Sequence, residues 1–575
     1  MRQTTLSVVL EVEPASVDHL SREIERLRCD EEKGPGVTVP YDHLKWGVPT
    51  LHFLSMSVFE GADYDPIFVI EANFDGPPGP FWAQLEATLA ASDYLRPILR
   101  CCKRPLDKDG PMYDAVTAAD SHHPIAPYLK RRTVKPSVFH HGNRGLERER
   151  ILREGELFGA TRKTLAQADS TISNPYRGMT AQKIHQSLRT ALLDKFKWLD
   201  TRAPARIPAW ERTLDVGRLL GFLLIVMIAL SVPGFLFLVF LRAFFPAWAS
   251  RFIALDPVSL VLLLIVPLVA GIVLYWTWSA RPGEAAPTNS GGFTLSRKNK
   301  PTSFANPFMF FFVAMLVLVI LVVAMAVVGA VVKSAIDVFA FGQSYLPALA
   351  QNWCPMVGLA IVGIYTAFVF SIPAILVWLR WLERRDSHHD APLVDQREMR
   401  KMTRREDWIP QNHMGSVVLV KPGVLRMALV RTGHRGLGLV LRVFATDGYL
   451  GSMRTVHFAH WAFINNRSRL MFLSNFDNSW DSYLDDFIEK AHSGLTLAWG
   501  SGVGFPATRF LVLDGASHGR QFKTWARHSM AVSRFWFSAY TEYTVDQIER
   551  HARIADGLRK ATLTPEEAAT WARDL

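Results

Sequence analysis

The sequence predicts an α+β protein in which two ferredoxin-like repeats form one intramolecular α/β barrel, interrupted by a four-helix transmembrane insertion. Two observations in the 575-residue chain lead to this prediction. Similar segments occur about 400 residues apart, which indicates an internal repeat. Long uncharged stretches lie between those segments, and stretches of that kind form membrane-spanning helices.

The internal repeat consists of a His-Phe pair followed, about twenty residues later, by Asn-Phe-Asp. The first copy has these motifs at residues 52–53 and 73–75, and the second copy has them at residues 457–458 and 475–477. An apolar run with helical spacing follows in each copy: Phe81, Leu85 and Leu89 in the first, and Tyr483, Phe487 and Ala491 in the second. Because these features keep the same order, the sequence indicates a duplicated domain.

The residue pattern of each copy predicts the element order β-α-β-β-α. Period-two alternation indicates the strands, and apolar residues three or four positions apart indicate the helices. The elements are expected at residues 5–12, 16–27, 52–59, 66–74 and 80–90 in the first copy, and at residues 416–420, 424–444, 457–465, 469–476 and 482–491 in the second. A final strand would complete a ferredoxin-like unit in each copy. The aromatic-rich residues 534–540 are expected to form a further strand or cover element.

Two such units predict a particular assembly, because each antiparallel sheet has helices on one face and leaves its other face open. Packing the two open faces together buries both of them. The chain therefore resembles the dimeric α/β-barrel superfamily, with both halves in one polypeptide. The resemblance covers about residues 1–105 and 412–515. Residues 106–212, 386–411 and 516–575 are expected to form a helical and loop extension, a linker and a C-terminal extension.

The transmembrane block is predicted at residues 213–385. It contains four stretches that are long enough to cross a hydrocarbon core of about 30 Å as helices, at residues 219–241, 257–280, 306–332 and 355–379. Residues 339–354 are also uncharged, but their Pro, Gln and Asn residues favour an external loop or a re-entrant turn. In the alternative interpretation this stretch is a fifth helix, which would place the two copies on opposite sides of the membrane.

Lys and Arg residues are concentrated before the first stretch, between the second and third, and after the fourth. The positive-inside rule therefore predicts that both soluble regions and both termini are cytoplasmic, with the helices in a bacterial-type inner (plasma) membrane. The net charge of +11 is interpreted as charge that attracts the anionic lipid headgroups of the bilayer. No zinc-finger, RNP or helix-turn-helix pattern indicates nucleic-acid binding. The four cysteines lack the spacing of a metal site or a disulfide framework.

The candidate chemistry begins with Asp75, at the end of the second hairpin strand of the first copy. Residues 72–76, Ala-Asn-Phe-Asp-Gly, resemble the Gly-x-x-Asp-Gly motif of the dye-decolourising peroxidases, with Ala in place of the first Gly. This resemblance implies that Asp75 is a catalytic residue on the distal side of a haem. A haem needs an axial imidazole and usually a distal arginine, and the candidates for these roles are His457, its counterpart His52, and Arg469.

The same residues also have a structural interpretation. An Asp that ends a strand shortly before a helix can accept hydrogen bonds from backbone N–H groups. Its recurrence as Asp477 favours a role that is repeated in both copies. His52 and His457 are also equivalent, so each can bond within its own sheet. The histidine pairs at residues 122–123 and 140–141 lack neighbouring ligands at the spacing of a metal site.

Two functions are therefore open. In the first, the membrane-anchored barrel binds a hydrophobic small molecule or haem and acts as a peroxidase-like oxidoreductase. In the second, it is a non-catalytic binding or assembly module, whose edge strands pair with a partner or with a second copy in a homo-oligomer. No Walker, nucleophile-elbow or zinc-protease motif indicates another enzyme class. The predicted spans have no ionisable residue in their interiors, which indicates an anchor rather than a transport pathway.

Overall fold

A computed structural model of the chain shows a mixed fold of helices and antiparallel sheets. It describes residues 3–33, 42–61, 64–90, 93–169, 175–203, 205–246, 307–367, 371–386, 396–397, 400, 403–404, 410–445, 447–448, 450 and 453–575. The chain divides into two compact units. Residues 1–212, 388–506 and 514–575 form the sheet unit, and residues 213–387 and 507–513 form the helical unit.

The helices and strands fall into three successive parts of the chain. The N-terminal part contains β1 (Gln3–Glu11), α1 (Val17–Lys33), α2 (Asp42–Gly47), β2 (Leu51–Gly61), β3 (Tyr64–Asp75), α3 (Pro78–Ala90), α4 (Leu95–Arg100), α5 (Gly110–Thr117), α6 (Ala126–Arg131), β4 (Thr133–Val134), β5 (Val138–His141), α7 (Arg148–Asp169) and α8 (Ala181–Leu193). The apolar helices are α9 (Ala209–Phe244), α10 (Pro307–Phe341), α11 (Tyr345–Thr366) and α12 (Ile372–Glu383). The C-terminal part contains β6 (Gln411–Leu419), α13 (Val424–Phe444), β7 (Val456–Ile464), β8 (Arg469–Asp477), α14 (Trp480–Trp499), β9 (Thr508–Arg509), β10 (Leu513–Asp514), α15 (Gly519–Ser529), β11 (Met530–Ala531), β12 (Ser533–Ser538), α16 (Val545–Arg559) and α17 (Pro565–Ala572).

Two five-stranded sheets dominate the sheet unit. Their strand orders are β12-β2-β3-β1-β4 and β11-β6-β8-β7-β5. In both sheets the central strand, β3 or β8, is the second strand of the predicted hairpin. It pairs on one side with the first hairpin strand, β2 or β7, and on the other side with the opening strand, β1 or β6. The central pairings also correspond in register, since Gln3 lies opposite Asp75 in one sheet and Gln411 lies opposite Asp477 in the other.

Alternation along each strand separates two buried layers. On one face of β1, Leu6, Val8 and Leu10 pack in a large apolar core that includes side chains of α1 and α3. The opposite faces of the two sheets share a second apolar cluster, which contains Phe59, Ile67, Val69, Val417, Ala462, Ile464, Met471 and Leu473. Because this cluster contains residues from β2, β3, β6, β7 and β8, the two sheets pack against each other through these faces.

Two short segments pass from one sheet to the other. β4 pairs with β1 in the first sheet, and β5, which follows after a short turn, pairs with β7 in the second. In the opposite direction, β11 pairs with β6 in the second sheet and β12 pairs with β2 in the first. β12 agrees with the further strand expected at residues 534–540. No residue pattern indicated β4, β5 or β11, which lie in segments expected to be extensions.

Among the residues that the structure describes, three helical segments are long and apolar enough to cross a membrane: Ala209–Pro233, Val319–Phe341 and Tyr345–Thr366. The first two overlap the predicted spans at residues 219–241 and 306–332. The predicted span at residues 257–280 lies outside the described residues. Met325, Ala326, Ala360 and Ile364 form the buried centre of a cluster within the helical unit.

The prediction of a loop or re-entrant turn at residues 339–354 was wrong. α10 continues to Phe341 and α11 begins at Tyr345, so only three residues separate the two helices. The polar side chain of Asn352, one reason for predicting a loop, instead donates hydrogen bonds to Ser334 Oγ at 3.1 Å and Asp337 Oδ2 at 2.9 Å in α10. α11 accommodates Pro355 inside the helix. It ends at Thr366 and α12 begins at Ile372, so α11 covers only the first part of the span predicted at residues 355–379.

Candidate functional site

The sequence candidates Asp75 and Asp477 lie in matching environments at the ends of β3 and β8. Asp477 Oδ1 is hydrogen-bonded to His457 Nε2 at 2.8 Å, and its Oδ2 accepts the backbone N–H of Val545 at 2.7 Å. Asp75 Oδ2 accepts the backbone N–H of Arg148, also at 2.7 Å. Val545 and Arg148 are the first residues of α16 and α7. Each aspartate therefore caps a helix N-terminus, where negative charge is favourable.

His52 contacts Asp75 as His457 contacts Asp477. His52 Nε2 lies 3.0 Å from Asp75 Oδ1, a distance suited to an ion pair, although the alignment is not that of a hydrogen bond. Burial by itself would raise the pKa of Asp75, but the neighbouring His52 and the N–H of Arg148 hold that pKa below its usual value. The other ring nitrogen, His52 Nδ1, is hydrogen-bonded to the Tyr540 hydroxyl at 2.7 Å.

These histidines do not fit the axial ligand of a haem. Such a ligand needs an imidazole nitrogen that faces open space on one side of the iron. The side chains of His52 and His457 are 0% and 1% exposed, and the Nε2 atom of each faces an aspartate. The rings also pack on aromatic side chains, with centroids 5.4 Å apart for His52 and Phe458 and 5.3 Å apart for His457 and Phe53.

Arg469 is not brought to either aspartate. It begins β8, eight residues before Asp477, which corresponds to about 26 Å along an extended strand. Its guanidinium group lies over the ring of Tyr64, 3.9 Å from the ring centroid. The structure thus joins Asp75 to His52 and Asp477 to His457, and it does not assemble His457, Asp75 and Arg469 into one site.

A second polar cluster lies between the two sheets and centres on Glu71, which is 0% exposed. Glu71 Oε2 accepts hydrogen bonds from His413 Nε2 at 2.9 Å and from Ser55 Oγ at 3.2 Å. Its Oε1 accepts one from Asn73 Nδ2 at 3.0 Å and lies 3.5 Å from His460 Nδ1. Burial by itself would raise the pKa of Glu71, but the hydrogen bonds and charge of His413 and His460 outweigh burial and lower this pKa.

Each histidine of this cluster also meets a serine. His460 Nε2 lies 2.7 Å from Ser7 Oγ, and His413 Nδ1 lies 2.5 Å from Ser533 Oγ. A histidine placed between a serine and a carboxylate, as His460 is between Ser7 and Glu71, is the arrangement of a serine hydrolase triad. However, Ser7 and His460 are each 1% exposed, so a substrate has no route to the hydroxyl in this conformation.

Glu71, His413 and His460 each occur at only one of the two equivalent positions of the repeat. With Asp75 aligned to Asp477, the counterpart of Glu71 is Leu473, and with Gln3 aligned to Gln411, the counterpart of His413 is Thr5. The counterpart of His460, counted from the paired His52 and His457, is Ser55. The aspartate–histidine pairs recur in both halves, whereas Glu71, His413 and His460 form a single asymmetric group.

Sequence reasoning missed this group, although one signal was present. Glu71 interrupts the apolar run Ile67–Ala72 at a position on the inner face of β3. His413 was not recognised as a strand residue, because the sequence predicted that this strand begins at residue 416. In the structure the strand begins at Gln411. Within the described ranges, no group of three or more His, Cys, Asp or Glu residues is arranged to hold a metal ion.

Comparison with known proteins identifies no relative. No protein-family model, curated protein or solved structure matches the chain. The geometry of the candidate site is therefore the basis for a proposed function.

Proposed function

We propose that this chain is a multipass membrane protein that presents a duplicated α/β barrel, of the dimeric α/β-barrel type, as a non-catalytic binding or assembly module. The three apolar helices support the membrane part. The shared strand order and register support the duplication. The exchange of β5 and β12 between the sheets supports closure of the two sheets into a barrel, since each exchanged strand covers an edge of the other sheet.

The single observation that carries this proposal is the repeated aspartate cap. The residue that the sequence offered for catalysis recurs in both halves, and in both it bonds to the first N–H of a helix. A single catalytic centre does not require this repetition, whereas the fold of a duplicated domain does. The proposal therefore assigns Asp75, Asp477 and their histidines to the fold, and it does not include the peroxidase-like activity.

Matching backbone bonds extend the proposed duplication beyond residue 105. Gly142 N–H donates to His457 O at 2.8 Å, and Ala539 N–H donates to His52 O at 2.9 Å. A backbone N–H of each half therefore donates a hydrogen bond to the first hairpin strand of the other half. The two side-chain amides at the strand starts behave alike as well, because Gln3 Nε2 donates to Leu146 O and Gln411 Nε2 donates to Tyr543 O.

The orientation in the membrane is part of the same proposal. The basic residues that flank the predicted spans favour cytoplasmic termini and a cytoplasmic sheet unit in a bacterial-type inner membrane. The predicted span at residues 257–280 is included in this topology. It makes the number of crossings even, and an even number keeps the two halves of the barrel on one side.

The proposal is tested by expressing residues 1–212 and 388–575 as two separate chains. Because β5 and β12 each complete the sheet of the other half, we expect the two chains to be poorly soluble alone and to form a one-to-one complex when produced together. The measurement is co-purification with size-exclusion chromatography, followed by hydrogen exchange of β2 and β7. Two stable monomers that do not associate would contradict the shared barrel.

A further inference from the structure

A small pocket, open to solvent, lies where β1 begins in the sheet unit. Its walls include Gln3 and His141, three arginines and one glutamate. The charged members are Arg144, Arg206, Arg442 and Glu211. Guanidinium groups are well suited to bind phosphate, because their planar array of donors matches the oxygens of that group.

The arginines are held in place by the surrounding structure. Arg144 donates to Arg442 O at 2.6 Å and to Glu211 Oε1 at 2.7 Å. Arg206 donates to Glu549 Oε2 at 2.7 Å. The guanidinium group of Arg442 lies 4.8 Å from the centroid of the Phe139 ring. Since these contacts fix the cations before a ligand arrives, an anion would bind with a small cost in side-chain entropy.

His141 lies in the wall of the pocket and is 7% exposed. Burial is the main cause that lowers the pKa of His141 far below its usual value, and the charges of Arg144 and Arg442 act in the same direction. His141 therefore stays neutral near pH 7. A neutral imidazole in the wall leaves the arginines as the groups that attract an anion.

A chain of hydrogen bonds leads inward from the pocket. His141 Nε2 is bonded to Thr5 Oγ1 at 3.0 Å, Thr5 donates to Asn73 Oδ1 at 2.8 Å, and Asn73 donates to Glu71 at 3.0 Å. The pocket is thus the outer end of the polar network around Glu71.

The pocket is also close to the first membrane helix along the chain. Trp210, which is 68% exposed, stands between the pocket residues Ile207 and Glu211. Glu211 lies eight residues before Leu219 in the sequence, where the uncharged stretch starts. Exposed tryptophans at the ends of membrane helices favour the headgroup layer, which makes a lipid headgroup a suitable source of phosphate.

We propose that this pocket binds the phosphate group of an anionic lipid headgroup, with Arg442 and Arg144 as its main cationic ligands. The inference rests on the proposed membrane-anchored module and gives that module a ligand. Free inorganic phosphate presents the same chemistry, and the experiment distinguishes the two sources.

The test uses the full chain in a neutral detergent, titrated separately with short-chain phosphatidylglycerol, short-chain phosphatidylcholine and inorganic phosphate. Binding is followed by tryptophan fluorescence and by the shift of the thermal unfolding midpoint. We expect phosphatidylglycerol to bind and stabilise the protein, and Arg442→Gln to weaken this binding by about tenfold or more through loss of a charged hydrogen-bond donor. Arg442→Lys, which keeps the charge, should retain part of the binding.

The matched control is Arg435→Gln, which removes an exposed arginine from the same helix, α13, and should leave binding unchanged. Binding of phosphatidylglycerol without binding of inorganic phosphate identifies the lipid as the source. Equal binding of both supports the phosphate site but overturns its restriction to lipids. The site is refuted if Arg442→Gln binds like the unchanged protein, or if phosphatidylcholine binds as well as phosphatidylglycerol. Failure of the barrel itself would appear separately, as halves that fold alone.

Discussion

At the scale of single residues, the aspartates illustrate how a polar residue in a strand can serve the fold. Asp75 and Asp477 are nearly inaccessible to solvent, and each contacts a histidine on one side and a helix N-terminus on the other. A buried carboxylate is tolerated only when such partners compensate for the loss of water. Asp75 was a catalytic candidate because residues 72–76 resemble a peroxidase motif.

We expect Asp75→Ala and Asp477→Ala to destabilise the protein by similar amounts. Loss of a helix cap costs about 0.5–2 kcal/mol, and both changes remove the acceptor of a first-turn N–H. The measurement is the unfolding midpoint of each variant in detergent, with the exposed Asp485→Ala as the control. A large effect of one substitution beside a negligible effect of the other would contradict the repeated structural role.

Buried histidines predict how stability depends on pH. Burial lowers the pKa of His434 to about 4, although its bond to Ala498 O opposes this shift. In the unfolded chain the pKa returns to about 6.5. Because the unfolded state then binds protons first, stability should be complete above about pH 6.5 and should fall as the pH drops towards 4.

This prediction is checked by measuring the unfolding midpoint between pH 4 and pH 7 for the unchanged protein and for His434→Gln. We expect a smaller change with pH in the variant, since glutamine does not titrate. A residual slope of the same sign should remain, because burial lowers the pKa of His140 to about 3 and that of His551 to about 4. An unchanged slope in His434→Gln would show that this residue is not buried in its neutral form.

At the scale of elements, two distant backbone segments come into close contact at the junction between β5 and α7. Gly142 lies at this junction, where a Cβ atom would stand 2.1 Å from Val456 O. A side chain would therefore push the two strands apart. Sequence periodicity predicted both hairpins and the helices that follow them, but a close approach between distant backbones leaves no periodic signal.

We expect Gly142→Ala to destabilise the sheet unit by about 1–3 kcal/mol, the usual range for overpacking. Gly159→Ala is the matched control, because Gly159 lies inside α7 and a Cβ atom there would meet nothing within 4 Å. That change should stabilise the protein by up to about 1 kcal/mol, the difference in helix propensity. The two unfolding midpoints should therefore shift in opposite directions, and a neutral Gly142→Ala would contradict the close strand contact.

At the scale of the whole molecule, the asymmetric group around Glu71 distinguishes the two halves. Its three members come from β3, β6 and β7, and the serines that bond to them come from β1, β2 and the start of β12. A buried polar network of this kind is stabilising only when all of its groups are satisfied. The proposed phosphate pocket connects this group to the exterior through His141, Thr5 and Asn73.

The sequence alone determined the order of β-α-β-β-α elements, the apolar character of the long helices and the paired Asp75 and Asp477. These features depend on local periodicity and composition, which a single segment contains. Only the tertiary structure decided that β5 and β12 change sheets and that Glu71, His413 and His460 meet. Periodicity shows which face of a strand is apolar, but it does not specify the partner strand. Contacts between residues hundreds of positions apart therefore become visible only when both sheets are assembled.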